Sequence, residues 1–267
     1  MGVKANPSLR GALDEKLKHA KTSTANVLKT SRAAQVLQAD NVDDDSGIVA
    51  ELETLQEKQL DHMKGIDGNW LILCDISGSM QHAIEVGRQI ADILCRMVKG
   101  KVLLVFFNTS PRAFDVTGKS LKEIQSITKH VTATGGTHIG CGLQLALESK
   151  WEFDGITVIS DGGENNRPVF AEVYPRYRDF VGKDVPVYFY LVNGQDQDVF
   201  SQNMRVMGLD MTTFDLRGGV DYYSLPNLVM TQRANRYSLV SEVWDTPLLT
   251  RKQTMVVPRQ YREKVGV

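Results

Sequence analysis

Leu71-Ile72-Leu73-Cys74-Asp75-Ile76-Ser77-Gly78-Ser79-Met80 is the stretch that sets the fold. An apolar run of strand length ends on a carboxylate, and two hydroxyls follow at alternate positions. A continuous apolar run, without in–out alternation, is what a strand buried on both faces of a parallel sheet requires. In open α/β sheets ligands bind in the crevice outside the carboxyl ends of the strands, so Asp75, Ser77 and Ser79 stand where a ligand would sit. Their spacing of two turns three oxygens toward one point if the backbone stays roughly extended, and Gly78 lets the chain bend tightly between them. Hard oxygen donors suit Mg²⁺ or Mn²⁺ better than Zn²⁺ or Cu²⁺, which favour nitrogen or sulfur. On its own the stretch reads equally as a polar loop capping the next helix.

Two further stretches narrow the reading. Thr134-Gly135-Gly136-Thr137-His138-Ile139-Gly140 is a glycine-rich loop running into a helical pattern. Ile156-Thr157-Val158-Ile159-Ser160-Asp161-Gly162 is a second buried strand closed by an aspartate. Together with Asp-x-Ser-x-Ser they resemble, in order, the three loops of the metal-ion-dependent adhesion site of von Willebrand factor A domains. The resemblance covers residues 68–232. It implies that Asp75, Ser77, Ser79, Thr137 and Asp161 are the metal-site positions, with Mg²⁺ as the ion and Mn²⁺ as a substitute. It also implies direct ligation by the serines and sometimes the threonine, with the aspartates binding directly or through water. A few neutral hydroxyls leave such a cation under-neutralised, and Mg²⁺ readily keeps waters, so an outer position stays open. A carboxylate from a partner protein can fill it and act as a charge-assisted anchor.

Outward from this centre, residues 102–107, 156–159 and 185–192 repeat the short apolar run. Helical patterns lie between them. Ala83, Gly87, Ile90, Ala91, Leu94, Met97 and Val98 form one stripe, and Ile139, Leu143 and Leu147 another. Residues 169–181 read as a helix shortened or kinked by Pro175. Residues 112–116 read as a short antiparallel edge strand, and 213–216 as the last strand, followed by a helix near 225–233. The alternation predicts an α/β fold: a doubly wound, mostly parallel central sheet with helices on both faces. Residues 48–64 have helical spacing, with Val49, Leu52, Leu60 and Met63 on one side to pack against that domain. Gly65 ends this helix and Gly68 opens the approach to the first strand.

The organisation expected is a charged, partly helical extension over 1–66, the sheet domain over 67–232 and a basic extension over 233–267. Residues 1–38 carry Lys4, Arg10, Lys16, Lys18, Lys21, Lys29 and Arg32 against Asp14 and Glu15, and residues 39–67 reverse the balance. Solvated helix faces and a linker at 40–46 account for this asymmetry, and a basic arm with an acidic latch is the other reading. Arg251, Lys252, Arg259, Arg262 and Lys264 make the last stretch basic, which is compatible with phosphate contact, with covering an acidic patch, or with disorder. The whole chain of 267 residues has a formal net charge of −1, so no global field draws it to nucleic acid or acidic membranes. Cys74, Cys95 and Cys141 fall inside apolar patterns and read as reduced core thiols of an intracellular protein. The chain lacks an apolar signal core and any run of membrane-spanning length, and Asn6 denies Gly2 a myristoylation motif. A cytoplasmic protein is expected, unlike the secreted adhesion members of the family.

The functional expectation is an intracellular, Mg²⁺-dependent protein-interaction module, a subunit of a larger assembly, rather than an enzyme. Its nearest flavour is the carboxyl-terminal module of Ro-type RNA-binding proteins, but the residues ahead of it are too few for the ring of helical repeats those proteins carry. One alternative is a ribonucleoprotein subunit that contacts RNA through the basic tails. Another is a metal-dependent phosphoesterase, since carboxylates with Mg²⁺ can activate water. His82 and His138 stand near the loops as rim residues without an identifiable nucleophile. Gly162-Gly163-Glu164-Asn165-Asn166 reads as a flexible rim, in which Glu164 is either an outer acceptor or solvated. Ala113-Phe114-Asp115-Val116-Thr117-Gly118-Lys119-Ser120 matches a relaxed phosphate-loop pattern. It has bulky residues where bare amides must approach phosphate, and follows an edge strand where a central one is wanted.

Overall fold

Trp70–Asp75 forms β1, with all six residues buried. The structure, a computed structural model, describes residues 48–62, 65–193, 198–217 and 232. All of these lie within one compact unit, Met1–Arg233. β1 pairs in parallel with β2 (Val102–Phe107) on one side and with β4 (Gly155–Ser160) on the other. β3 (Pro111–Asp115) runs antiparallel along β2 at one edge, where a leading proline is tolerated. β5 (Val187–Leu191) and β6 (Thr212–Asp215) continue the parallel sheet beyond β4. The order β3-β2-β1-β4-β5-β6 is that of a doubly wound α/β fold, with strand order reversing between β1 and β4.

Successive β1 side chains point to opposite faces, and each face has its own core. Trp70, Ile72 and Cys74 join Ile90, Leu94, Leu121 and Ile124 in one cluster. These come from α2 (Ile84–Met97) and α3 (Leu121–Thr128). Leu71 and Leu73 join Leu143, Phe170, Tyr177 and Phe200 in the other cluster. Those come from α4 (Gly140–Glu148), α5 (Phe170–Val181) and α6 (Val199–Val206). The expected stripe on α2 is buried throughout. Pro175 does not shorten α5, which runs unbroken to its Gly182 cap. The three cysteines are buried and free. Among the described residues, no helix is long and apolar enough to cross a membrane.

The acidic segment ahead of the sheet supplies α1 (Ile48–Asp61). Its Leu52 and Leu60 are buried, and Leu60 belongs to the first core cluster. Polar contacts fix it as well: Glu57 accepts from Arg96 Nε at 3.0 Å and from the Leu121 N–H at 2.8 Å. The side chain of Val49, and Met63 altogether, lie outside the described residues. So does most of the helix expected near 225–233. Of that segment Gln232 is described, buried and donating its amide to Thr157 Oγ1 and Tyr190 Oη at 3.1 and 2.9 Å.

α3 and α6 are additions to the expected elements. Each is eight residues long and buries two or three side chains, too little for a periodic stripe to stand out. α3 also absorbs the phosphate-loop pattern. Residues 113–115 are part of β3, and Ser120 is the N-cap of α3. Its hydroxyl accepts from the Glu123 N–H at 3.3 Å, while Glu123 accepts from the Ser120 N–H at 2.8 Å. This is a capping box, and it occupies the hydroxyl that nucleotide chemistry would have needed.

Candidate metal centre

The crevice between β1 and β4 is built by register. Cys74 pairs with Ile159, so Asp75 and Ser160 end their strands side by side and Asp161 follows immediately. Asp75 is fully buried. Its Oδ1 accepts from the Ser77 N–H at 2.7 Å and its Oδ2 from the Ser160 hydroxyl at 2.5 Å. Ser160 Oγ in turn accepts from the Gly162 N–H at 3.2 Å. Burial raises the Asp75 pKa to about 6, and the Asp161 charge pushes the same way. The Ser160 and Ser77 hydrogen bonds oppose both.

Ser77 is extended, at φ −65° and ψ 164°, but the chain then turns into a 3₁₀ helix, Gly78–His82. The extended backbone expected for the whole Asp-x-Ser-x-Ser stretch therefore ends at Ser77. The tighter turn still converges the two hydroxyls, with Ser77 Oγ and Ser79 Oγ 3.1 Å apart. Ser77 is buried and Ser79 faces solvent, so the pair spans from the strand end to the open rim.

The glycine-rich second loop is tied to the first. The Thr134 N–H donates to Ile76 O at 2.8 Å and the Gly78 N–H to Gly135 O at 2.9 Å. Thr137 follows, 4% exposed. Across from it, Asp161 Oδ1 accepts from the Gly163 N–H at 3.0 Å. Asp161 Oδ1 and Thr137 Oγ1 lie 3.2 and 3.7 Å from the point where a Gly163 Cβ would stand, so both oxygens face the same small space. The five expected positions thus fall on three loops at the carboxyl ends of the sheet's strands, joined by backbone hydrogen bonds.

The third loop decides between the two readings of Glu164. Gly162 turns at φ +84°, and the carboxylate of Glu164 is buried beneath the loop. Glu164 accepts from the first amides of two helices, Gly140 N–H at 3.2 Å and Phe170 N–H at 2.7 Å, and from Asn203 Nδ2 at 3.2 Å. It is a buried acceptor rather than a solvated side chain. Burial lifts its pKa to about 7 against those hydrogen bonds. Gly140 has no room for a Cβ, which would stand 2.1 Å from Pro168 O. His138 Nε2 donates to that same carbonyl at 3.0 Å, and His82 is exposed at the end of the 3₁₀ helix. Cys141 is buried in α4, with its thiol pushed up to about 12 by burial.

The residues present suit a hard divalent cation. Mg²⁺ holds oxygens at about 2.1 Å in an octahedron, which sets neighbouring ligands roughly 3.0 Å apart, close to the Ser77–Ser79 separation of 3.1 Å. Among the described residues, no three His, Cys, Asp or Glu side chains come together as a metal cluster; three of the five expected positions, Ser77, Ser79 and Thr137, carry hydroxyls. Ser160 and Glu164 are the residues that the motif reading passed over or left undecided. The signal for Ser160 lay in aligning the two strand ends, Cys74-Asp75 beside Ile159-Ser160.

No protein-family model matches the chain, and no curated protein matches it by sequence. Solved structures do. The Ro (RSR) protein of Deinococcus radiodurans superposes with a TM-score of 0.53 at 16% identity, over 71% of this chain and 39% of that one. The fold they share is the doubly wound α/β sheet. A von Willebrand factor type A structure from Catenulispora acidiphila (14% identity, 63% of this chain, 42% of that one, TM-score 0.43) is also similar. So is the VWA domain of SpRpn10, at 12% identity, 61% of this chain, 94% of that one and TM-score 0.45. At these identities the likeness concerns the fold. The chain spans about two fifths of the length of the Ro protein that it matches.

Proposed function

We propose that this chain is a Mg²⁺-dependent protein-interaction module that captures an Asp or Glu side chain of a partner protein, within a larger cytoplasmic assembly. The observation that carries the reading is the convergence of Ser77 Oγ and Ser79 Oγ, 3.1 Å apart, at the strand-order switch of the doubly wound α/β sheet. Ser77, Ser79 and Thr137 would hold the ion and Asp75 and Asp161 would neutralise it, with Mn²⁺ as a substitute. When bound, Mg²⁺ supplies a coordination position for an external carboxylate. The protein's own part is to keep the hydroxyls convergent, to bury Asp75 behind Ser160, and to leave Ser79 open to the partner. Residues 67–232 form the interacting domain in this reading, flanked by extensions over 1–66 and 233–267.

The test is selection of peptides from a random display library on the immobilised full chain in Mg²⁺, with elution by EDTA. Recovered peptides should share an essential Asp or Glu, and its change to Asn or Gln should abolish retention. Peptides held equally in EDTA, or turnover of p-nitrophenyl phosphate in Mg²⁺ that Asp161→Ala abolishes, would overturn the reading.

A further inference from the structure

We infer that Asn165 is the positioning residue for Thr137, clamping the second loop to the third so that the threonine hydroxyl is presented in place before any ligand arrives. This rests on the proposed metal centre and adds to it a residue outside the Asp-x-Ser-x-Ser, Thr and Asp pattern.

The clamp is a short ladder. Asn165 Oδ1 accepts from the Thr137 N–H at 3.1 Å. In the opposite direction the Asn165 and Asn166 N–H groups donate to Thr137 O at 3.2 and 3.3 Å. Both backbone polar groups of Thr137 are thereby satisfied by one neighbouring segment. The amide oxygen takes the place that a strand carbonyl would hold in a sheet. A buried N–H left without an acceptor is costly, so the Thr137 backbone has little freedom to turn while this contact stands.

The segment that makes the clamp is itself held. Glu164, one residue earlier, accepts from the amides that start α4 and α5. On the same side His138 donates to Pro168 O, and Gly140 lies against the Pro168–Phe170 backbone. Residues 137–140 and 163–170 therefore form one block, which Gly163 ties to Asp161 and Asn165 ties to Thr137. Thr137 Oγ1 and Asp161 Oδ1 face the space beside Gly163 because that block fixes them. Groups that orient ligands in this way typically contribute about 10–100-fold to metal affinity.

The experiment uses the full chain as wild type, Asn165→Ala and Asn165→Asp. Amide hydrogen exchange in metal-free buffer reads the clamp, and calorimetric Mg²⁺ titration reads its consequence. Asn165→Ala keeps the two backbone donors and should retain the wild-type fold. It should lose protection at the Thr137 amide and bind Mg²⁺ about 10–100-fold more weakly. Asn165→Asp keeps an acceptor oxygen at the same position and should restore both. Unchanged Thr137 protection in Asn165→Ala, or unchanged Mg²⁺ affinity despite lost protection, overturns the inference. If wild type shows the protection but binds no Mg²⁺, the metal reading fails, and the positioning role with it.

Discussion

Replacing Ser160 with alanine removes a hydroxyl that donates to a fully buried carboxylate at 2.5 Å and accepts from the Gly162 N–H. A hydrogen bond to a charged group is worth about 1.5–3 kcal/mol, against roughly 1 kcal/mol for a neutral one. Asp75, with its pKa at about 6, changes from one case to the other within an accessible pH range. At pH 8 in EDTA, Asp75 is ionised and Ser160→Ala should destabilise the domain by about 2–3 kcal/mol. At pH 5 the carboxyl is mostly protonated, and the loss should shrink to about 1 kcal/mol. The sign follows from linkage. A raised native pKa means that the Asp75 contribution is fully present below its unfolded value and is lost as pH rises through about 6. The variant, lacking an interaction that opposes the rise, loses more. Urea denaturation of both proteins at the two pH values measures the difference. An equal loss at both, or none at pH 8, would refute the assignment of Ser160 as the support of an ionisable Asp75.

Asp92 gives an independent pH signature away from the crevice. Its pKa is raised to about 7 by burial, against the Arg88 charge and a Thr128 hydrogen bond. Its contribution is present below the usual aspartate range and fades as pH rises through about 7, so Asp92→Asn should gain about 2 kcal/mol on wild type between pH 5 and pH 8. Parallel stability–pH curves from urea titrations would contradict this. Gly140→Ala places a Cβ 2.1 Å from Pro168 O and 2.8 Å from Val169 C, both backbone atoms. Relief requires parting α4 from α5 and breaking the Glu164 contacts. The expected loss is about 3 kcal/mol or more, and a wild-type urea midpoint would show that the block yields.

How much could be read from the letters depended on whether the deciding contact was local. β1, β2, β4 and β5 were legible because a strand buried on both faces has no choice but to be apolar, and the runs at 102–107 and 156–159 coincide with β2 and most of β4. Asp75 and Asp161 were legible as carboxylates ending such runs. Ser160 was not, since its partner lies 85 residues away and only the β1–β4 register brings them together. Glu164 could not be placed for the same reason: its acceptor role depends on two helix starts meeting above it. The Ser120–Glu123 capping box was present in the letters, but a phosphate-loop pattern competed for the same serine. On α1 the buried Gln56 and Gln59 blur the apolar stripe, and Glu57 docks through Arg96, a contact no helical period encodes.

The central claim is that these loops hold a divalent cation, and Ser79 tests it with least disturbance. Its side chain is exposed, and its hydroxyl bonds to Ser77 Oγ rather than to the core. The measurement is the thermal midpoint of wild type and Ser79→Ala across a Mg²⁺ titration at fixed ionic strength. At a hundredfold excess over the dissociation constant, binding to the native state stabilises it by about 2.7 kcal/mol, a rise of roughly 5–10 °C for a domain of this size. Wild type should show that rise and Ser79→Ala should show little of it, with metal-free midpoints alike. A wild-type midpoint that ignores Mg²⁺, or an equal rise in both proteins, would contradict the claim.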